Sequence, residues 1–240
     1  MIAFAPFVAG AQQTADYIST NKGPVSIYPI QHATLVLTWN NKTIYIDPTG
    51  GASKFVTFGK PDIILLTDIH GDHFDLNTLD SIYSAGTTII APSAVAEKLP
   101  ASLKAKLVVL ANFDKGKVDK IKVSAIPMYN LPESPTAMHT KGRGNGYILK
   151  LGNKNIYISG DTEDIPEMRS LKDIDAAFIC MNLPYTMDVD QAAVGVLAFK
   201  PAIVYPYHYR GQNGLSDVQK FKQLVNTGNP NIDVRLLKWY

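Results

Sequence analysis

An uninterrupted apolar run, Ile63-Ile64-Leu65-Leu66, passes directly into Thr67-Asp68-Ile69-His70-Gly71-Asp72-His73. A strand that is apolar at every position is buried on both faces, which places it in a sheet covered by helices. Ionisable groups at the end of such a strand need partners, because burying an uncompensated charge is costly. Asp68, His70, Asp72 and His73 crowd into this one turn, and a metal ion would satisfy them together. In an extended segment Asp68 and His70 share a face, since side chains alternate from side to side. A tight turn at Gly71 then carries Asp72 and His73 into the start of the next helix, where they can converge on a second position. The competing reading is a solvated polar loop held by an Asp–His hydrogen bond.

The composition narrows the ligand chemistry. Cys180 is the single cysteine, which excludes an intrachain disulfide and a cysteine-based zinc cluster. It lies in the apolar run Ala176–Cys180 and reads as a small core residue rather than a nucleophile. Metal ligands must therefore come from carboxylates and from the five histidines, His32, His70, His73, His139 and His208. With 46% hydrophobic and 18% charged residues the chain has globular composition, so disordered and fibrous classes are set aside. Its 240 residues allow one large domain or two small ones. A formal net charge of +2, with few cations near the ligand motifs, gives no basis for a nucleic-acid partner. No protein partner can be read.

The first residues are apolar and uncharged and end in Ala9-Gly10-Ala11. An apolar core before a small-x-small step reads as the end of a secretory signal. Residues 1–11 are thus expected to be a signal remnant and residues 12–24 an N-terminal arm, with export to a bacterial periplasm or secretion. If the stretch instead packs on the domain, the protein is cytoplasmic. No segment reaches the ~20 apolar residues that cross a bilayer, so no transmembrane segment is expected.

From Val25 onward β-rich runs alternate with helical patterns. Val25–Ile30, Thr34–Trp39 and Thr43–Ile46 read as a meander of strands. Asp62–Thr67 is the buried strand, followed by a helix capped by Asp75 and ending near Gly86. Strands follow at Thr87–Ala91, Leu107–Leu110, Val118–Pro127 (a pair), Gly146–Leu151, Asn155–Ser159, Ala176–Cys180, Ala202–Pro206 and Ile232–Leu237. Helices are expected over Ser93–Leu99, Val189–Phe199 and Ser216–Asn226. A meander followed by β-α units, twice over, predicts an α/β fold: an αββα sandwich of two mixed sheets with helices on the outer faces. The polar stretch Leu131–Gly144 is long for a connection and reads as a binding loop or lid.

Single polar candidates stand at other strand ends: Asp47, Tyr129-Asn130 with His139, Asp161, and His208-Tyr209-Arg210. Each alone is as readily a cap or a satisfied core residue. Their shared position at the carboxyl ends of apolar strands is where α/β architectures place their sites.

The heptapeptide, Gly160-Asp161-Thr162 and the late His208 together resemble the metallo-β-lactamase superfamily of αββα hydrolases, whose order of motifs the chain follows from Val25 to Tyr240. His32-Ala33, Asp47-Pro48, Pro127-Met128-Tyr129-Asn130, His139 before Lys141-Gly142, and Pro206-Tyr207-His208 are similar to its branch of ascorbate-6-phosphate lactonase-like and phospholipase-D-like hydrolases. The resemblance implies one hydrolase domain over residues 25–240 and a two-metal site. His70 and His139 match ligands of the first metal, Asp72, His73 and His208 those of the second, and Asp161 the bridging carboxylate. Asp68 departs from the pattern, standing where the motif most often has a histidine. It either ligates through oxygen or is hydrogen-bonded to a ligand imidazole, which leaves the first site weaker or empty. Zinc is the expected ion, with manganese or iron compatible with Asp68.

Two such ions about 3.5–4 Å apart lower the pKa of a shared water and polarise a carbonyl or phosphoryl oxygen. Asp72, Asp161 and His208 are the expected catalytic residues, with Asp72 orienting the water or managing its proton. His32, Asp47, Asn130, Tyr209 and Arg210 are expected in the substrate pocket or behind the ligands. Tyr129, Tyr207 and Tyr209 are candidates to protonate the leaving group, and Arg210 and Lys141 to meet an anionic substrate group. The implied activity is hydrolysis of an ester, lactone, amide or phosphodiester in a small-molecule substrate. The alternatives are a metal- or ligand-binding protein of the same fold without turnover, and a di-iron redox protein.

Overall fold

The computed structural model describes residues 15–240. The apolar segment over residues 1–11, and the signal expectation that rests on it, lie outside the described residues. The first sheet holds β1 (Asp16–Ile18), β2 (Val25–Gln31), β3 (Thr34–Trp39), β4 (Lys42–Ile46), β5 (Ile63–Leu65), β6 (Thr88–Ala91) and β7 (Leu107–Val109), in that order. Its first half is an antiparallel meander and its second half, from β4 onward, is parallel. Helices α1 (Leu76–Ile82) and α2 (Ser93–Lys98) supply the parallel crossovers.

The second sheet repeats the plan. Strands β8 (Lys115–Val118), β9 (Ile121–Met128), β10 (Gly144–Leu151) and β11 (Lys154–Ile158) are antiparallel neighbours, and β12 (Ala176–Cys180), β13 (Ile203–Tyr207) and the short β16 (Asp233–Val234) continue in parallel. A small hairpin, β14 (Arg210–Gly211) with β15 (Gly214–Leu215), precedes β16. Helices α3 (Pro166–Arg169), α4 (Val189–Phe199) and α5 (Val218–Gly228) belong to this half.

Strand β5 shows why its sequence is apolar throughout. Ile63 and Leu65 belong to the core shared by the two sheets, whereas Ile64 and the following Leu66 pack with Leu79, Ile82 and Val95 of α1 and α2. Period-2 alternation thus feeds two hydrophobic layers from one strand. On the far side Val196, Phe199, Phe221 and Val225 of α4 and α5 join the core of the second sheet. The order of layers is helix, sheet, sheet, helix, the mixed αββα sandwich expected from the sequence.

Most elements match the sequence reading within a residue or two, with informative exceptions. The helix capped by Asp75 ends at Ile82, because Tyr83 already has an extended ψ of 151°. The last strand shrinks from Ile232–Leu237 to Asp233–Val234, beyond which the Arg235 amide still donates to the Val204 carbonyl of β13. The segment expected as an arm over residues 12–24 carries β1, whose Asp16 accepts hydrogen bonds from Tyr205 and Arg235 of the other half.

Every parallel strand of both sheets ends at one edge of the sandwich. The loops after β4, β5, β9, β11 and β13 therefore meet there. The two-layer role of β5 predicts that Ile64→Ala and Leu65→Ala each lower unfolding free energy by about 2–5 kcal/mol, read from urea denaturation. Equal stability of both variants to the parent would contradict the two-layer assignment.

Candidate metal centre

The loop after β4 supplies Asp47, held at φ 44°, a left-handed conformation that few non-glycine residues adopt. Its buried carboxylate accepts hydrogen bonds from the Thr67 amide at 2.8 Å, the Thr67 hydroxyl at 2.6 Å and His73 Nδ1 at 2.8 Å. With Nδ1 of His73 hydrogen-bonded to Asp47, its Nε2 points the other way, into the centre. Burial raises the Asp47 carboxyl above the ordinary range against the pull of His73 and Thr67.

Two groups of side chains converge at this edge. Asp72, His73, Asp161 and His208 place one ligand atom each within 4.8 Å of one another, and Asp68, His70 and His139 do the same. Asp161 spans both groups: Oδ1 lies 3.1 Å from His208 Nε2, and Oδ2 lies 3.3 Å from His73 Nε2 and 3.2 Å from His139 Nε2. Gly160, at φ 61°, makes the turn that delivers it, where a side chain would meet Met128 Sδ at 2.6 Å. In the other group His70 Nδ1 is 2.7 Å and His139 Nε2 3.8 Å from Asp68 Oδ2.

The donor set fits a divalent cation. His73 Nε2 and His208 Nε2 face each other at 3.2 Å with carboxylate oxygens around them. Asp161 Oδ1, although close to His208, has no hydrogen bond of acceptable geometry and is fully buried. Imidazole nitrogens and carboxylate oxygens aimed at common points are the ligands that zinc, manganese and iron accept.

The electrostatics are coupled. Burial opposes an imidazolium at His73, but Asp161 and Asp47 outweigh it and hold its pKa well above the ordinary value. Burial likewise opposes the Asp161 carboxylate, and His208 and His73 overcome it, leaving that carboxyl well below the usual range. Burial lowers His208, with Asp161 pulling the other way and His73 and His32 adding repulsion. Asp72 is also lowered, burial being overcome by His32, His73 and His208.

Of the other expected residues, His32 touches Asp72 itself, whereas Tyr209 and Arg210 are packed on Tyr240. His32, at φ 47°, sits in the turn between β2 and β3; its Nε2 lies 3.2 Å from Asp72 Oδ2 and its Nδ1 2.8 Å from the Tyr240 hydroxyl. Asn130 clamps the long loop: its amide accepts from the His139 backbone N–H at 2.8 Å and donates to the Tyr185 carbonyl at 2.8 Å. Tyr209 packs edge-on against Tyr240 at 5.0 Å, and the Arg210 guanidinium lies 4.4 Å over the same ring. Lys141 is engaged by Glu133 and Glu167, and the Tyr129 hydroxyl donates to Glu167. The buried Tyr207 hydroxyl accepts from the Gly160 amide, and burial pushes its pKa up strongly. Tyr129, Lys141 and Tyr207 therefore support the loops rather than face the centre.

Two residues at the centre have no signal in the linear sequence. Arg143 grips Asp68, with Nε 3.2 Å from Oδ1 and Nη2 3.0 Å from Oδ2. Asn182 is buried, its amide nitrogen 3.4 Å from His208 Nε2 and its oxygen accepting from Thr186 Oγ1. A cavity of about 240 Å³ opens above the ligand atoms, lined by His70, Asp72, His139 and Asp161 together with Met138, Asn182 and Tyr185. A larger cavity of about 600 Å³, near the N-terminal ends of α4 and α5, contains none of the converging residues; the chemistry points to the smaller one.

Comparison with known proteins agrees with this architecture. Residues 26–208 match the family model described as the beta-lactamase superfamily domain, and the chain belongs to that superfamily. It is 31% identical over 212 residues to a metal-dependent hydrolase of Pyrococcus abyssi, covering 84% of this chain and 92% of the relative. A crystal structure of a protein from Parabacteroides distasonis described as a metal-dependent hydrolase is 39% identical, covers 95% of this chain and 100% of that one, and superposes with a TM-score of 0.84. The metallo hydrolase Igni18 of Ignicoccus hospitalis, 22% identical over 89% of this chain and 95% of its own, shares the fold at a TM-score of 0.74. Among the described residues no helix is long and apolar enough to cross a membrane.

Two outcomes follow from the Asp47–His73 pair. Asp47→Asn should weaken metal affinity about 10–100-fold, measured by competition with a chromophoric chelator, while circular dichroism confirms the fold; unchanged affinity would remove Asp47 from the account. The raised His73 pKa stabilises the metal-free protein fully below the unfolded value of about 6.5, and that contribution is lost as pH rises through the folded value. Metal-stripped protein should therefore melt at progressively lower temperature as pH rises above about 6.5, whereas an unchanged melting temperature would contradict the assignment.

Proposed function

We propose that the protein is a metal-dependent hydrolase whose centre holds two divalent ions, zinc foremost, and acts on a small molecule with a carbonyl or phosphoryl group. The observation that carries this reading is the Asp161 carboxylate shared by His73, His139 and His208, with Asp72 and Asp68 completing the two groups. The relatives named as metal-dependent hydrolases support it. Residues 25–240 are read as one hydrolase domain, supported by a core to which both sheets contribute.

In this reading Asp72, His73, Asp161 and His208 hold one ion and Asp68, His70 and His139, with Asp161 between them, hold the other. Bound divalent ions supply a water of lowered pKa and polarise the scissile group. The chain's own residues do the rest. Asp72 is the ligand-group carboxylate most open to solvent, its side chain 38% exposed, so Oδ1 can accept a hydrogen bond from water in the cavity and orient it while His32 holds Oδ2. Asn182, oriented by Thr186, presents its amide N–H groups to a substrate oxygen on which charge develops. Met138 and Tyr185 give the cavity an apolar wall and a polar rim, and its volume of about 240 Å³ suits a small acyl or phosphoryl group more than an extended polymer.

Screening a panel of esters, lactones, amides and phosphodiesters should find turnover that a chelator abolishes and added Zn²⁺ or Mn²⁺ restores. On the best substrate, His73→Ala and His208→Ala should each cost at least about 100-fold in kcat/KM. Turnover that survives both the chelator and these substitutions would refute the reading.

A further inference from the structure

The two groups of ligands differ in how their charge is already balanced. Among the described residues no lysine or arginine pairs with Asp72 or Asp161; imidazoles alone surround them. Asp68 differs. Its fully buried carboxylate is engaged on both oxygens by the Arg143 fork, and Arg143 Nη2 also lies 3.5 Å from His70 Nε2. A guanidinium is a permanent cation whose planar fork matches a carboxylate.

This pairing is built into the backbone. Arg143 precedes Gly144, where a Cβ would stand 2.8 Å from the Thr67 carbonyl and 2.5 Å from Met128 Cε, and the next amide, of Asn145, donates to that same carbonyl at 3.0 Å. Only a glycine lets the start of β10 cross so close to the residue before Asp68. Arg143 is thereby carried to Asp68 from a loop 75 residues away in sequence, and its side chain is only 20% exposed. It is not among the residues lining the cavity, so its guanidinium acts on the ligand rather than on a substrate.

We propose that Arg143 makes the two metal positions unequal: a divalent ion is held first by Asp72, His73, Asp161 and His208, and the Asp68–His70–His139 position fills only when an ion displaces Arg143 from Asp68. This rests on reading both groups as metal sites. A cation entering the Asp68 position competes with a cation already seated on that carboxylate, and the two positive charges repel one another in a partly buried setting. Arg143 is thus a positioning residue that sets occupancy, not a catalytic one.

The test is calorimetric and spectroscopic titration of the metal-free full chain with Co²⁺ alone and with Zn²⁺ alone. The wild type should take one tight equivalent and a second at least 100-fold weaker. Arg143→Gln should leave the first unchanged and tighten the second at least tenfold. Arg143→Lys, which keeps the charge nearby and guards against misfolding of the first variant, should keep the second weak. Two wild-type equivalents of equal affinity, or an unaltered second equivalent in Arg143→Gln, would overturn the proposal and leave the metal centre standing. Binding of neither equivalent would overturn both.

Discussion

A carboxylate that is almost wholly buried and surrounded by three imidazoles, Asp161, is the contact around which this edge of the molecule is arranged. Burying that charge is costly unless it is paired. His73, His139 and His208 come from three different loops to meet it, at 3.1–3.3 Å. Nothing in a hydrophobic sandwich requires such a gathering of charge. The apolar layers above and below make it possible by fixing the strand ends, and strand β5 ties the two together by feeding both layers and then opening into Asp68, His70, Asp72 and His73.

Strain collects at the same edge. His32, Asp47 and His208 all have φ between 44° and 47°, a region disfavoured for residues with a Cβ. Each makes a contact that an extended backbone would not give: His32 reaches Asp72, Asp47 reaches His73, and His208 faces Asp161. The His208 amide donates to the His32 carbonyl at 3.2 Å, so two of these residues brace one another across the sheets. Fixed ligands of this kind are what a preorganised centre needs.

Much of this was legible in the residues. The buried strand and its polar terminus announced both the covered sheet and the site, because hydrophobic period and the cost of buried charge are local properties. The strand-end residues Asp47, Asp161 and His208 could be singled out by their place after apolar runs, whereas His139, inside the long polar loop, is reached through the resemblance. What the chain order could not show was which way flexible side chains turn. Lys141 and Tyr129 look available in sequence, yet Glu133 and Glu167 hold them. Arg143 looks like a solvated loop cation, yet the crossing at Gly144 turns it onto Asp68. His32 and Tyr240, 208 positions apart, meet only because the two sheets fold face to face.

The most direct measurement is anomalous X-ray diffraction from crystals of the full chain grown with Zn²⁺ or Mn²⁺. The account predicts an anomalous peak within bonding distance of Asp72, His73, Asp161 and His208. The contradicting result is a centre that stays free of any anomalous peak at millimolar metal, with these side chains hydrogen-bonded only to one another and to water.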